Sequence, residues 1–311
     1  EGVEAPDALL LGHGLLGFTL SYMGEPAPAL DHLRRGLSYY ERPSASPSTG
    51  TDLGVLSRCY TAMVLWILGH PQQSMEEMDR ALALAQDLAH PHTLAAAQTH
   101  TAGLHLLRRE PQPARAYAEK TIILCEDYQF PHWQVLSEII MGWAMAHQRQ
   151  PSAGVERVER GLDALTAIGA NLTPCTHTVL AEAHGLAGDV AKGLDAVERA
   201  LAEAVDLSMH AFDSMTFRIK GDLLWARGTV SGEVAACYQE AIDIAQAQGA
   251  RSFELQAALR LSPLRQREGQ PEAARRAIAP IYEGFSEGFD APDLEAARAI
   301  LEALERDQGN A

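Results

Sequence analysis

Residues 142–161, GWAMAHQRQPSAGVERVERG, carry the pattern that decides the fold. Gly142 precedes Gly154 by twelve positions, Gln150-Pro151 stands between them, and Val158 and Gly161 follow Gly154 at steps of four and three. Steps of three and four line residues up on one helix face. Small residues on that face let a second helix approach closely. Proline suits the first turn of a new helix. The stretch therefore reads as one helix, a tight turn and a second, antiparallel helix.

The same triplet returns six more times, as Ala29/Leu33/Gly36, Ser74/Met78/Ala81, Ala114/Ala118/Thr121, Gly193/Val197/Ala200, Val234/Tyr238/Ala241 and Ala274/Ile278/Ile281. Successive steps are 45, 40, 40, 39, 41 and 40 residues. A small residue twelve positions earlier recurs at Gly17, Ala62, Ala102 and Ala181. Turn formers separate the helices, among them Gly24-Glu25-Pro26, Gly69-His70-Pro71, Glu110-Pro111, Gly188-Asp189 and Gly269-Gln270-Pro271. Glycine supplies the left-handed residue that ends a helix. A repeat near 40 residues predicts an all-α solenoid, whose units bury their apolar faces only by stacking. Residues 1–311 read as one array of about seven helix pairs. The Pro-, Ser- and Gly-rich run 41–54 reads as a long loop, which accounts for the first step of 45. Residues 292–306, with Leu294, Ala297, Leu301 and Leu304 on one stripe, read as a capping helix. No matching cap precedes residue 1, so the chain reads as a piece of something longer. Its first helix is expected to expose an apolar edge (Leu9, Leu10, Leu11, Leu15, Leu16) and to self-associate weakly there.

Of 311 residues, 47% are hydrophobic, and the formal charge is −16 with only three lysines. That balance excludes nucleic acid, which demands clustered cations, and disfavours anionic membranes. The four cysteines, Cys59, Cys125, Cys175 and Cys237, form no CxxC pair and read as free, buried thiols of a cytoplasmic protein.

Chemistry is sparse. GxxxxGK[ST] is absent, and Gly188 to Gly193 has the composition of a phosphate loop in the wrong order. His90/His92, His100/His105 and His177/His184 lack the i,i+4 spacing of HExxH. No GxSxG elbow occurs. The expectation is no catalytic residue, no metal and no cofactor.

Paired helices with small contact residues and a glycine before the second helix resemble the tetratricopeptide repeat, stretched beyond its usual period of roughly 34. A narrower resemblance rests on Thr51-Asp52-Leu53-Gly54-Val55, Leu65-Trp66-Ile67-Leu68-Gly69, His90-Pro91-His92-Thr93-Leu94 and Leu106-Leu107-Arg108-Arg109-Glu110-Pro111. Phe130-Pro131-His132-Trp133, Gly142-Trp143-Ala144, Pro280-Ile281-Tyr282, Gly284-Phe285 and Gly288-Phe289-Asp290 continue it. Together they resemble the C-terminal repeat region of large bacterial signalling proteins with a class III adenylate/guanylate cyclase domain and an AAA-type ATPase domain upstream.

That resemblance implies a concave surface lined by the first helix of each unit. Repeat position puts Phe18, Met63, Trp66, Leu106, Trp143, Asp222 and Trp225 on it, with Arg58, His100 and Arg218 nearby. Tryptophan and arginine there would anchor a partner helix or extended peptide; the competing reading is inter-helix core. A clamp for a C-terminal carboxylate built on Lys and Asn is set aside, since the asparagines are only Asn171 and Asn310. The expected function is a non-enzymatic interaction module binding a protein or peptide, including the parent's own catalytic domains. The alternative is a small-ligand sensor with an effector in the concave face, held by His100, Arg218 and Asp222.

Overall fold

In the computed structural model, residues 6–40, 50–169 and 173–309 are described, and every regular element among them is a helix. The helices pair in sequence. α1 (Pro6–Met23) packs on α2 (Pro26–Leu37), α3 (Leu53–Ile67) on α4 (Pro71–Asp87), and α5 (Pro91–Leu107) on α6 (Pro111–Tyr128). Next come α7 (Pro131–His147) with α8 (Pro151–Ala167) and α9 (Thr173–Leu186) with α10 (Val190–Leu207). The array ends with α11 (Asp213–Ala226) on α12 (Ser231–Gln248), α13 (Arg251–Arg267) on α14 (Pro271–Glu283), and α15 (Pro292–Gly309). Residues 41–49 of the expected loop lie outside the described residues.

All twenty-one triplet residues are buried. The residue that opens a triplet meets the small residue twelve positions earlier: Ser74 Oγ donates to the Ala62 carbonyl at 2.6 Å, and a Cβ on Gly142 would lie 2.7 Å from the Gly154 carbonyl. Proline occupies the first turn of α2, α4, α5, α6, α7, α8 and α14. The turns need one left-handed residue each. Gly24, Gly69, Gly188, Gly228 and Gly269 supply it in five, while Arg109 (φ 60) and Arg149 (φ 65) supply it in the other two.

At the far end α15 rests on α13 and α14 and buries Leu294, Ala297 and Leu304. At the near end the expected apolar edge is narrower. Leu15 and Leu16 are about half exposed. Leu10, by contrast, is buried, because its turn of α1 lies against Gly36 of α2, and Leu9 and Leu11 are half-buried.

The odd-numbered helices form the inner layer, each touching the next. The inner layer also closes on itself: α13 contacts α3, five units earlier. Phe253 meets Trp66 edge-on at 5.3 Å, and the Ser252 hydroxyl donates to the Trp66 carbonyl. Gln256 Nε2 donates to the Leu107 carbonyl at 2.9 Å, and Gln73 binds the Glu287 carboxylate through its backbone and side-chain nitrogens. The Ala211 amide donates to the Tyr22 carbonyl at 3.1 Å.

Candidate ligand-binding cavity inside the superhelix

Closure turns the concave face into a cavity of about 160 Å³, open at its mouth and bounded by α1, α3, α5, α7, α9 and α11. Its wall follows helical spacing: Tyr60, Met63 and Ile67 on α3, then Thr99, Gly103, Leu106 and Leu107 on α5, and Leu136 and Ile140 on α7. Each stripe is the inward face of a first helix.

The wall is uncharged at neutral pH. Burial pushes the His100 pKa down to about 4 and raises the Cys175 thiol and the Tyr60 phenol to about 12. Its polar groups are largely committed. Tyr22 and Tyr60 share a hydrogen bond at 3.2 Å, and Thr99 donates to the Ala95 carbonyl at 2.8 Å. His100 Nδ1 lies 2.8 Å from the Ala96 carbonyl, which only accepts, so Nδ1 carries the proton and Nε2 is left as an acceptor. Tyr60 sits edge-on to His100 at 5.0 Å and stacks on Phe18 at 4.3 Å.

Three of the residues expected on the concave face, Met63, His100 and Leu106, line this cavity. Phe18 backs it through Tyr60. Arg58 instead pairs with Glu77 at 2.5 Å, joining α3 to α4. Trp66 and Trp143 are core residues, 3% and 1% exposed. Trp66 packs at the α3–α13 closure, and Trp143 Nε1 donates to Glu182 Oε2 at 2.9 Å. Arg218 and Asp222 belong to an ionic network, Arg218 being 2% exposed and bonded to Asp222 at 2.9 Å. His100, Arg218 and Asp222 therefore do not converge on one pocket. Trp225 is 44% exposed, with the Arg267 guanidinium 5.6 Å over its ring. Trp225→Ala is expected to lower urea-unfolding stability by only about 0.5 kcal/mol, the scale of an exposed cation–π contact.

Sequence reasoning missed Tyr22, Tyr60, Gly103 and Cys175. The signal for two of them was present: Tyr60 precedes Met63 by three and Gly103 precedes Leu106 by three, which places each pair on one helix face. Cys175 and Cys237 are half-buried, whereas Cys59 and Cys125 are buried, and all four are free. Among the described residues no group of three or more His, Cys, Asp or Glu is placed to hold a metal. No described helix is long and apolar enough to cross a membrane.

No protein-family profile matches the chain. A curated relative, the uncharacterized protein R02095 of Rhizobium meliloti (strain 1021), is 24% identical over 239 residues. The match covers 74% of this chain and 23% of the relative, so the chain spans about a quarter of that relative's length. Among solved structures the chain is similar to NprR in complex with its cognate peptide NprX, at TM-score 0.60 and 13% identity, covering 98% of this chain and 84% of NprR. The apo form of RapI matches at TM-score 0.56 and 11% identity, covering 94% of this chain and 99% of RapI. Aspartyl phosphate phosphatase F of Bacillus subtilis matches at 0.56 and 11%, covering 90% and 73%. At these identities the likeness establishes the fold: an all-α, tetratricopeptide-like array of sequential helix pairs.

Proposed function

We propose that this chain is a non-catalytic regulatory module that receives a short segment of a protein or peptide and anchors one apolar side chain of it in the axial cavity. The observation that carries this reading is the cavity itself, apolar and uncharged, formed where six inner helices converge. A buried apolar side chain contributes roughly 1.5–3 kcal/mol, and anchors of this kind dominate peptide recognition. The backbone of an extended segment would remain at the mouth, since the wall has few free hydrogen-bonding groups to satisfy it. NprR, similar in fold, was solved with a peptide bound.

We further read the array as part of a larger bacterial nucleotide-cyclase/ATPase signalling protein, on the strength of the sequence resemblance described above. The segment would then come from a separate partner or from the parent's own catalytic domains. A second reading, a small apolar effector filling the whole cavity, is favoured by one feature. His100 lines the cavity with Nε2 left as an acceptor, on a wall whose other polar groups are largely committed, which suits a ligand with a single donor.

Gly103 offers the test. A Cβ there would have only Ile140 Cδ1 near it, at 3.9 Å, so Gly103→Leu places a side chain in the cavity without a backbone clash. Removing a mid-helix glycine is also expected to stabilise the chain by up to about 1 kcal/mol. Short peptides selected by display on the native chain are expected to share one large apolar residue and to lose at least about tenfold affinity, ~1.4 kcal/mol, for the Gly103→Leu protein. Peptides that bind both proteins equally would remove the cavity from the binding mechanism. An apolar molecule that co-purifies with the native chain but not with the variant, detected by native mass spectrometry, would favour the effector reading.

A further inference from the structure

A second cavity, of about 200 Å³, lies farther along the inner layer, where the end of α5 meets α11, α13 and α15. Its charged lining is Arg109, Arg218, Arg260 and Asp293, with Gln256 beside them. The carboxylates that pair with these arginines stand behind them and do not line the space. Glu182 Oε1 accepts from Arg109 at 3.0 Å and lies 3.4 Å from Arg218 Nη2, while its other oxygen accepts from Trp143. Asp222 accepts from Arg218 and Tyr238 at 2.9 Å and pairs with Arg260 Nε at 3.2 Å. Each carboxylate is thus used up in orienting the guanidinium groups.

We propose that this cavity is a binding site for an oxyanion, a carboxylate or phosphate group carried by a ligand. Three guanidinium groups line the space against one carboxylate, with Glu182 and Asp222 balancing them from behind, so the network is neutral in sum but turns its cationic side to the cavity; guanidinium edges match both oxyanions through paired N–H donors. The second observation is at Arg218. Its side chain is 2% exposed, two of its nitrogens are spent on Glu182 and Asp222, and its buried Nε–H has no hydrogen-bond partner. A buried guanidinium donor left unpaired is costly, and the residue that carries it lines the cavity. Gln256 holds the remaining acid in place, donating to Asp293 Oδ2 at 2.8 Å. Burial raises the Asp293 pKa, while the charges of Arg109, Arg218 and Arg260 pull it down, so its ionised form competes with a ligand for the same arginines. The site does not depend on the axial cavity being occupied, nor on what occupies it.

The test is calorimetric titration of the full chain with inorganic phosphate and, separately, acetate, at constant ionic strength with chloride as the control. Saturable binding of at least one anion is expected. Arg260→Gln, at a half-exposed position, is expected to weaken it by about tenfold, one lost charge-assisted contact. Asp293→Asn keeps an acceptor for Gln256 but removes the like charge, and is expected to tighten binding by about tenfold. A folding defect would not produce that increase, so Asp293→Asn decides the matter even if Arg260→Gln fails to fold. Preference for phosphate assigns a phosphorylated ligand, and preference for acetate assigns a carboxylate. Heats that match chloride in the native and Asp293→Asn proteins, or an affinity that Asp293→Asn leaves unchanged, would overturn the proposal.

Discussion

Glu182→Gln is expected to cost about 3–5 kcal/mol of folding stability, the usual penalty for stranding half of a buried ion pair. Glu182 is 8% exposed and faces Arg109, Arg218, His147 and the Trp143 indole. Glutamine keeps the size and one acceptor, but Arg218 is left buried with only Asp222 to balance it. Burial alone would raise the Glu182 pKa; the two arginines, with His147, override it and hold the carboxyl well below its ordinary 4.5. A carboxyl whose pKa falls on folding binds its proton more weakly in the folded chain. Its stabilisation is therefore complete above about pH 4.5 and is lost as pH drops through the lower folded value. Urea unfolding across pH 2–7, followed by circular dichroism, is the measurement. The native chain should lose more stability than Glu182→Gln between pH 4 and pH 2. Parallel curves for the two proteins would show that the pair contributes nothing net.

Gly154→Val is the second large effect. A Cβ at Gly154 would sit 2.5 Å from the Gly142 carbonyl oxygen, 2.8 Å from the Ala146 amide nitrogen and 3.0 Å from the Ala146 Cβ. Those are mostly backbone atoms of α7, so no rotamer change relieves the clash and the helix pair must separate. Overpacking of a core usually costs 1–3 kcal/mol; with backbone on both sides, about 3 kcal/mol or more is expected. The repeat architecture spreads the damage, because α9 packs on both α7 and α8. Gly12→Ala is the control: nothing lies within 4 Å of its Cβ position, and a gain of about 0.5–1 kcal/mol is expected from the helix backbone alone. Urea midpoints for the three proteins separate close approach from glycine content.

The two predictions rest on different kinds of information. Gly142 and Gly154 were legible in the sequence as a helix contact, since small residues at fixed spacing have few other purposes in adjoining helices. The turns were legible too, although Arg109 and Arg149 adopt the left-handed conformation usually left to glycine. Glu182 was invisible as a structural residue. Its partners come from two other helices and the α5–α6 turn, and nothing local distinguishes it from the many carboxylates that stay in solvent. Among the expected concave residues the same division holds. Met63, His100 and Leu106 reach the cavity because their inward face follows from helix period. Trp66 and Trp143 were assigned to a groove, and lie in the core because other units cover them.

By itself, then, the sequence determined the helices, their pairing, the order of stacking and the absence of a recognisable catalytic motif, all of which depend on interactions within about forty residues. Only the tertiary structure decided that α13 returns to α3, that Ser252 bonds the backbone of Trp66, and that a continuous groove becomes two separate cavities, one apolar and one lined by arginines. The physical reason is accumulation: solenoid curvature is the sum of small rotations between neighbouring units. No single stretch of sequence encodes where that sum brings the chain back onto itself.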